Sequence, residues 1–170
     1  MDSDFRFTIG IITVSDKGSK GKRIDESGPV IERTLKSLGG IVKKYAIVPD
    51  EKEKIKFALK EMTDELHIDL VLTSGGTGFS PRDITPEATL DVIEKLVPGI
   101  PEAMRSESLK ITPMAMLSRA IAGIRKESLI INLPGNPKGV LECLNTIIPA
   151  LKHGIEILRG EASECAKNRN

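Results

Sequence analysis

The 170-residue chain carries 25 Lys and Arg against 24 Asp and Glu, a formal charge of +1. That balance excludes a general nucleic-acid or membrane-surface role driven by excess charge, so an anionic ligand has to be held by local groups. The length suits one domain, read here as residues 1–160 with 161–170 as a disordered tail.

Cys143 and Cys165 are too few for a disulfide framework and point to a cytoplasmic setting. His67 and His153 lie far apart without metal-ligand spacing and read as helix-end or surface residues. The amino terminus begins with acids, and no apolar run approaches the roughly 18 residues of a membrane span.

Residues 8–14 are β-branched and apolar on both faces, as a central parallel strand is. They end at Ser15 and Asp16, and a polar loop runs to Lys22. Asp25, Ser27, Gly28 and Pro29 announce a helix with Val30, Ile31, Leu35 and Leu38 at helical spacing, stopped by Gly39 and Gly40. Residues 41–48 predict a second strand. Asp50 followed three residues later by Glu53 has the pattern of a capping box, opening a helix with Ile55, Leu59, Met62 and Leu66 along one side.

Residues 69–72 predict a buried third strand that runs into a glycine-rich loop through Asp83. Thr85 is available to cap the next helix, with Pro86 at its first position and an end near Leu96. A segment broken at Pro98 and Pro101 follows, then a helical stretch around 115–121, a strand at 129–133 and a helical region broken at Pro149. Strands alternating with helices imply a three-layer α/β/α sandwich around a mostly parallel sheet, with ligands beyond the carboxyl ends of its strands.

Four loops lie at that end, and each carries polar or glycine-rich chemistry. Ser15 and Asp16 follow the first strand and Asp50 the second. After the third come Thr73, Ser74, Gly75, Gly76, Thr77 and Gly78, where closely spaced glycines allow positive φ and close approach to a bound group. The hydroxyls of Ser74, Thr77 and Ser80 suit phosphate oxygens, with Arg82 and Asp83 at the rim. Neither the dinucleotide nor the Walker pattern is present. Pro134, Gly135, Asn136, Pro137 and Lys138 form a second candidate anion site, a glycine turn at a helix start with a movable positive charge. Asp83 is the stronger catalytic candidate, since Asp50 already has a reading as a cap. Asp16, Asp25 and Ser27 read as loop and capping residues that could line the same cleft.

These elements together resemble the MogA and MoaB family of molybdenum cofactor biosynthesis. The resemblance rests on the Ser-Asp and Asp-Glu-Ser-Gly-Pro elements up to Pro29, the Val-Pro-Asp ending at Asp50, the Thr-Ser-Gly-Gly-Thr-Gly loop through Thr-Pro-Glu-Ala, and Asn-Leu-Pro-Gly-Asn-Pro-Lys ending at Lys138. It runs from Ile9 to Leu158 in the family's order. Further elements around Met104-Arg105 and Leu117-Ser118-Arg119 are most similar to the MogA branch, the molybdopterin adenylyltransferases. Position 136 departs from the family in being Asn where Ser or Gln is more usual, and the region after Leu144 is shorter than in some relatives.

The resemblance implies transfer of AMP from Mg-ATP to the terminal phosphate of molybdopterin, with release of pyrophosphate. It makes Asp50 and Asp83 the active-site carboxylates, holding Mg²⁺ or ordering its waters, with Lys138 or Arg82 neutralising phosphate charge. It assigns the glycine loop to the nucleotide side and the Pro134 to Lys138 loop to the molybdopterin side. It also implies a homotrimer and hand-over of product to a molybdenum insertion protein. A non-catalytic molybdopterin-binding or scaffold module, or a role in the neighbouring molybdate insertion step, are the competing readings.

Overall fold

Strand β1 (Phe7–Val14) lies between β2 (Gly40–Val48) and β3 (Leu70–Ser74), parallel to both, and β3 pairs in parallel with β6 (Ser128–Leu133). Two short strands, β4 (Lys95–Leu96) and β5 (Ala122–Arg125), extend the sheet antiparallel, giving the order β2-β1-β3-β6-β5-β4. The structure is a computed structural model and describes residues 5–161.

Side chains alternate across the parallel strands, so one sequence feeds two cores. Ile9, Ile11, Leu70, Leu72, Leu129 and Ile131 face a core completed by α2 (Ser27–Lys36), α5 (Gly99–Leu109) and α6 (Pro137–Leu158). Ile12, Val71 and Ile130 face the other core, formed with α3 (Lys52–Lys60) and α4 (Thr85–Leu90). The expected three-layer α/β/α sandwich is therefore the observed fold. No helix among the described residues is long and apolar enough to cross a membrane.

Several local expectations are corrected. The polar stretch after β1 contains a one-turn helix, α1 (Asp16–Ser19). The helix at 52–66 ends at Lys60 and passes into a π-helical turn, Glu61–Glu65, which leaves Leu66 exposed and drives Met62 against Gly10, where a Cβ would lie 2.5 Å from its sulfur. Helix α4 stops at Leu90, and residues 95–96 form an edge strand instead of its last turn. The segment read as broken by proline is α5, since Pro98 and Pro101 fall at its cap and first turn, where the missing amide has no helical partner in any case. The stretch at 115–121 is only a 3-10 turn, Pro113–Leu117, before β5. Helix α6 runs unbroken through Pro149, an exposed position. Both histidines are exposed, and His67 follows the π turn with φ of 47°. Apart from Glu161, the expected disordered tail lies outside the described residues, as does Cys165.

Candidate active site

The four parallel strands end at Val14, Val48, Ser74 and Leu133, and the loops that leave them form one continuous wall. Gly75 has φ of 101° and would bring a Cβ to 2.4 Å from the Val14 carbonyl oxygen; Gly76 has φ of 65° and would bring one to 2.4 Å from Thr85 Oγ1 and 3.2 Å from Asp50 Oδ1. Only glycine fits both positions. Thr85 is not a helix cap: its hydroxyl donates to the Gly75 carbonyl at 2.9 Å and its amide to the Gly76 carbonyl at 3.1 Å. With their carbonyls turned inward, the glycines leave the Gly76 and Thr77 amides without an acceptor among the described residues.

Asp50 is not the helix cap either. Glu51 holds that position, without a side-chain bond, while Asp50 Oδ2 accepts the Asp16 amide at 2.8 Å and Asp16 Oδ1 accepts the Asp50 amide at 3.1 Å. Arg82 reaches across from the glycine loop to grip Asp16 with two bonds of 2.9 Å. That grip holds the Asp16 carboxyl below its ordinary range. Asp50 moves the other way: burial raises it, the Asp16 amide opposes this, and the neighbouring Asp16 and Asp83 charges push it further up. Its Oδ1 accepts no hydrogen bond from the described residues. Asp83 also has a structural task, since its Oδ2 accepts the amides of Gly78 at 3.0 Å and Ser80 at 3.1 Å.

Two cavities meet at this wall. The first, about 350 Å³, is lined by Ser15, Asp25, Asp50, Ser74, Gly75, Gly76, Asp83 and Gly135, with Arg23 the cation on its rim. The second, about 530 Å³, lies between α5, the 3-10 turn and the start of α6, lined by apolar Met104, Ile111 and Leu117 and polar Arg105, Ser108 and Ser118. Thr77, Gly78, Pro134 and Lys138 line the second, and Asn136 borders both. Both volumes fall in the range of small-molecule sites.

Other predicted residues also have structural tasks in the wall, and of these Thr73 alone opens into neither space. Thr73 is fully buried, and its hydroxyl accepts from Asn132 at 3.0 Å. Ser74 donates to the Pro134 carbonyl at 2.8 Å, tying the glycine loop to the second anion loop. Ser15 caps α1 by accepting the Gly18 amide at 3.0 Å, and Asn136 caps α6 by accepting the Gly139 amide at 2.7 Å. Lys138 is 82% exposed, with Glu142 at 3.9 Å as its only ion-pair partner among the described residues.

Asp25 does more than cap. It accepts the Ser27 and Gly28 amides and the hydroxyls of Thr13 and Tyr45, while Ser27 donates to the Gly135 carbonyl at 3.0 Å. Burial works to raise Asp25, but these donors hold it below its ordinary value; burial and Asp25 push Tyr45 up to about 12. Arg23 and the α5 side of the second cavity were not anticipated from the sequence. Arg23 lies in a basic surface run that resembles any solvated loop, and α5 was itself missed.

A family profile described as a probable molybdopterin binding domain matches residues 10–153. The molybdopterin adenylyltransferase of Helicobacter pylori strain J99 is 48% identical over 154 residues, covering 89% of this chain and 88% of that protein. The molybdopterin adenylyltransferase of Escherichia coli K12 is 42% identical over 153 residues, covering 86% of this chain and 78% of that protein. The crystal structure of the molybdopterin biosynthesis enzyme MoaB from Thermus thermophilus superposes with a TM-score of 0.87 at 46% identity, covering 93% of this chain and 99% of that one.

Proposed function

The chain belongs to the family of probable molybdopterin binding domains, and from that membership we propose that it is a molybdopterin adenylyltransferase, a nucleotidyltransferase of molybdenum cofactor biosynthesis. The observation that carries this reading is 48% identity, across nearly the whole chain, to a protein of that name. Two cavities sharing one wall suit a transfer between two substrates.

In the proposed reaction an oxygen of molybdopterin's terminal phosphate attacks the α-phosphorus of ATP. A P–O–P bond forms, the bond from that phosphorus to the β-phosphate's bridging oxygen breaks, and pyrophosphate leaves. A phosphate monoester has a second pKa of ~6, so the attacking oxygen is already ionised at pH 7 and needs no protein base. The difficulty is bringing two anions together.

The first cavity takes the phosphates of ATP, supported by the free Gly76 amide and by Arg23 on the rim. The second takes molybdopterin, supported by its apolar walls and by Lys138 beside Asn136. Asp50 and Asp83 fit Mg²⁺ arriving with the nucleotide: they are hard oxygen donors, and Asp50 is raised by burial and by the Asp16 and Asp83 charges, which the Asp16 amide and Arg82 only partly offset. Among the described residues no three His, Cys, Asp or Glu gather to hold a metal, while Mg²⁺ needs only one or two carboxylates beside phosphate oxygens. Bound there, the ion would offset the phosphates' charge. Arg82 contributes through Asp16, whose amide it steadies against Asp50.

A cytoplasmic homotrimer that hands its product to a molybdenum insertion protein completes the reading. Leu96, Ile111, Met114 and Met116 are 57–63% exposed, apolar surface that further copies would cover. Isothermal titration with Mg-ATP and molybdopterin, coupled to pyrophosphate detection, tests the function. Both ligands should bind, and pyrophosphate should appear only when both are present. Molybdopterin binding without pyrophosphate release would make the chain a non-catalytic binding module.

A further inference from the structure

Arg119 stands just before β5, outside both anion loops, yet it grips the glycine loop at three points and the helix after it at a fourth. Its amide donates to the Thr77 carbonyl at 2.9 Å, its Nε to the Gly78 carbonyl at 2.8 Å and its Nη2 to the Asp83 carbonyl at 2.9 Å, while Nη1 pairs with Glu87 at the start of α4. Gly78 is thereby held from both sides, its carbonyl by Arg119 and its amide by Asp83 Oδ2. Asp83 is held likewise, at its backbone by the guanidinium and at its side chain by the loop amides.

We infer that Arg119 is a positioning residue for adenylyl transfer: it fixes the loop that aims the Asp83 carboxylate and presents the Gly76 and Thr77 amides. This rests on the adenylyltransferase reading above. The planar fork is what the task requires, because three acceptors lie in three directions and a lysine ammonium on a flexible stem cannot meet them together. The side chain is one-third exposed and lines neither cavity, so it acts on substrate through Asp83 and the loop amides.

Glu87 shapes the test. Its Oε2 is buried without a partner among the described residues, so Arg119→Ala would strand a half-buried carboxylate and cost stability for reasons unrelated to the loop. Arg119→Lys keeps the charge, and the double variant Arg119→Gln with Glu87→Gln removes the stranded one. In both, kcat should fall about a hundredfold, the scale of a small misplacement of a catalytic group, with KM for Mg-ATP changing far less and Tm near that of the wild type. The Gly78 and Ser80 amides should exchange with deuterium at least about tenfold faster, since the loop opens locally. Methylguanidinium should restore part of kcat in Arg119→Ala.

Wild-type kcat with full amide protection in Arg119→Lys would overturn the inference, as would a loss of activity that only tracks loss of folded protein. Absence of pyrophosphate release from the wild type would sink the adenylyltransferase reading instead, and the exchange rates of the two amides would still report whether Arg119 fixes the loop.

Discussion

Asp69 and Asp50 are half-buried carboxylates at opposite ends of the same sheet, and the fold treats them oppositely. At the amino end, Asp69 accepts the Thr8 amide and hydroxyl at 2.7 Å each and takes two bonds from Arg159, which fastens the end of α6 to β3. Burial alone would raise Asp69, but these donors bring it below its ordinary value. At the carboxyl end, burial and two like-charged neighbours outweigh one backbone donor and the Arg82 charge, and Asp50 rises. Where a charge only holds the fold together, the protein supplies its own partner; where a ligand belongs, the partner is left for the ligand to bring.

The largest expected effect falls on turnover. Asp50→Asn and Asp83→Asn should each lower pyrophosphate release by about a hundredfold or more, as loss of a group that stabilises developing charge does. Asp50→Asn should leave Tm at pH 7 unchanged or higher, because it removes a charge that folding disfavours. An Asp50 variant that lost activity and stability together would erase the contrast with Asp69.

Asp69→Asn should do the reverse, lowering stability by about 2 kcal/mol in denaturant melts while leaving kcat intact. That figure is below the range for fully buried pairs because both side chains keep some solvent contact. The two residues also separate by pH. Asp69, depressed in the folded state, contributes stability that is present above its ordinary carboxylate value and lost as pH falls through the folded pKa. Asp50, raised, holds its proton longer folded than unfolded, so its contribution to stability declines as pH rises through its folded pKa.

Gly76→Ala should cost about 1–2 kcal/mol of stability and weaken Mg-ATP in titration, since a side chain at positive φ is strained and this one also meets Thr85 and Asp50. Unchanged stability would show that the loop relaxes without penalty. The smallest effect concerns the division between the cavities. Lys138→Ala should raise KM for molybdopterin by about fivefold and leave KM for Mg-ATP unaltered, since a lost binding charge acts on the ligand it touches. A rise confined to Mg-ATP would mean the two cavities are assigned in reverse.

The central strands and the four loops were legible because each is a local signal: a short apolar run ending in glycine, proline or aspartate. That sufficed to bring Asp50, Gly75, Gly76, Asp83 and Gly135 to one cavity. What escaped depends on distant neighbours or on position within an element. Pro98 and Pro101 read as breakers, yet at a helix start they break nothing. Pro149 leaves the carbonyl one turn back at exposed Asn145, where water can satisfy it. The antiparallel strands β4 and β5 have two and four residues, too few to show a period. Asp50 and Thr85 carry sequence patterns of helix caps, but partners on other loops claim them first. The role of Arg119 has no local signature, because its side-chain acceptors lie 32–41 residues away in sequence.

The account turns on Asp50 being a carboxylate whose counter-charge comes with the nucleotide, and carbon-13 carboxyl NMR titration of the free and Mg-ATP-bound protein measures this directly. In the free protein Asp50 should titrate above, and Asp69 below, the ordinary range for aspartate. Saturating Mg-ATP should bring Asp50 down and leave Asp69 where it was. An Asp50 that titrates below the ordinary range without ligand, or one that Mg-ATP does not move, would contradict the account.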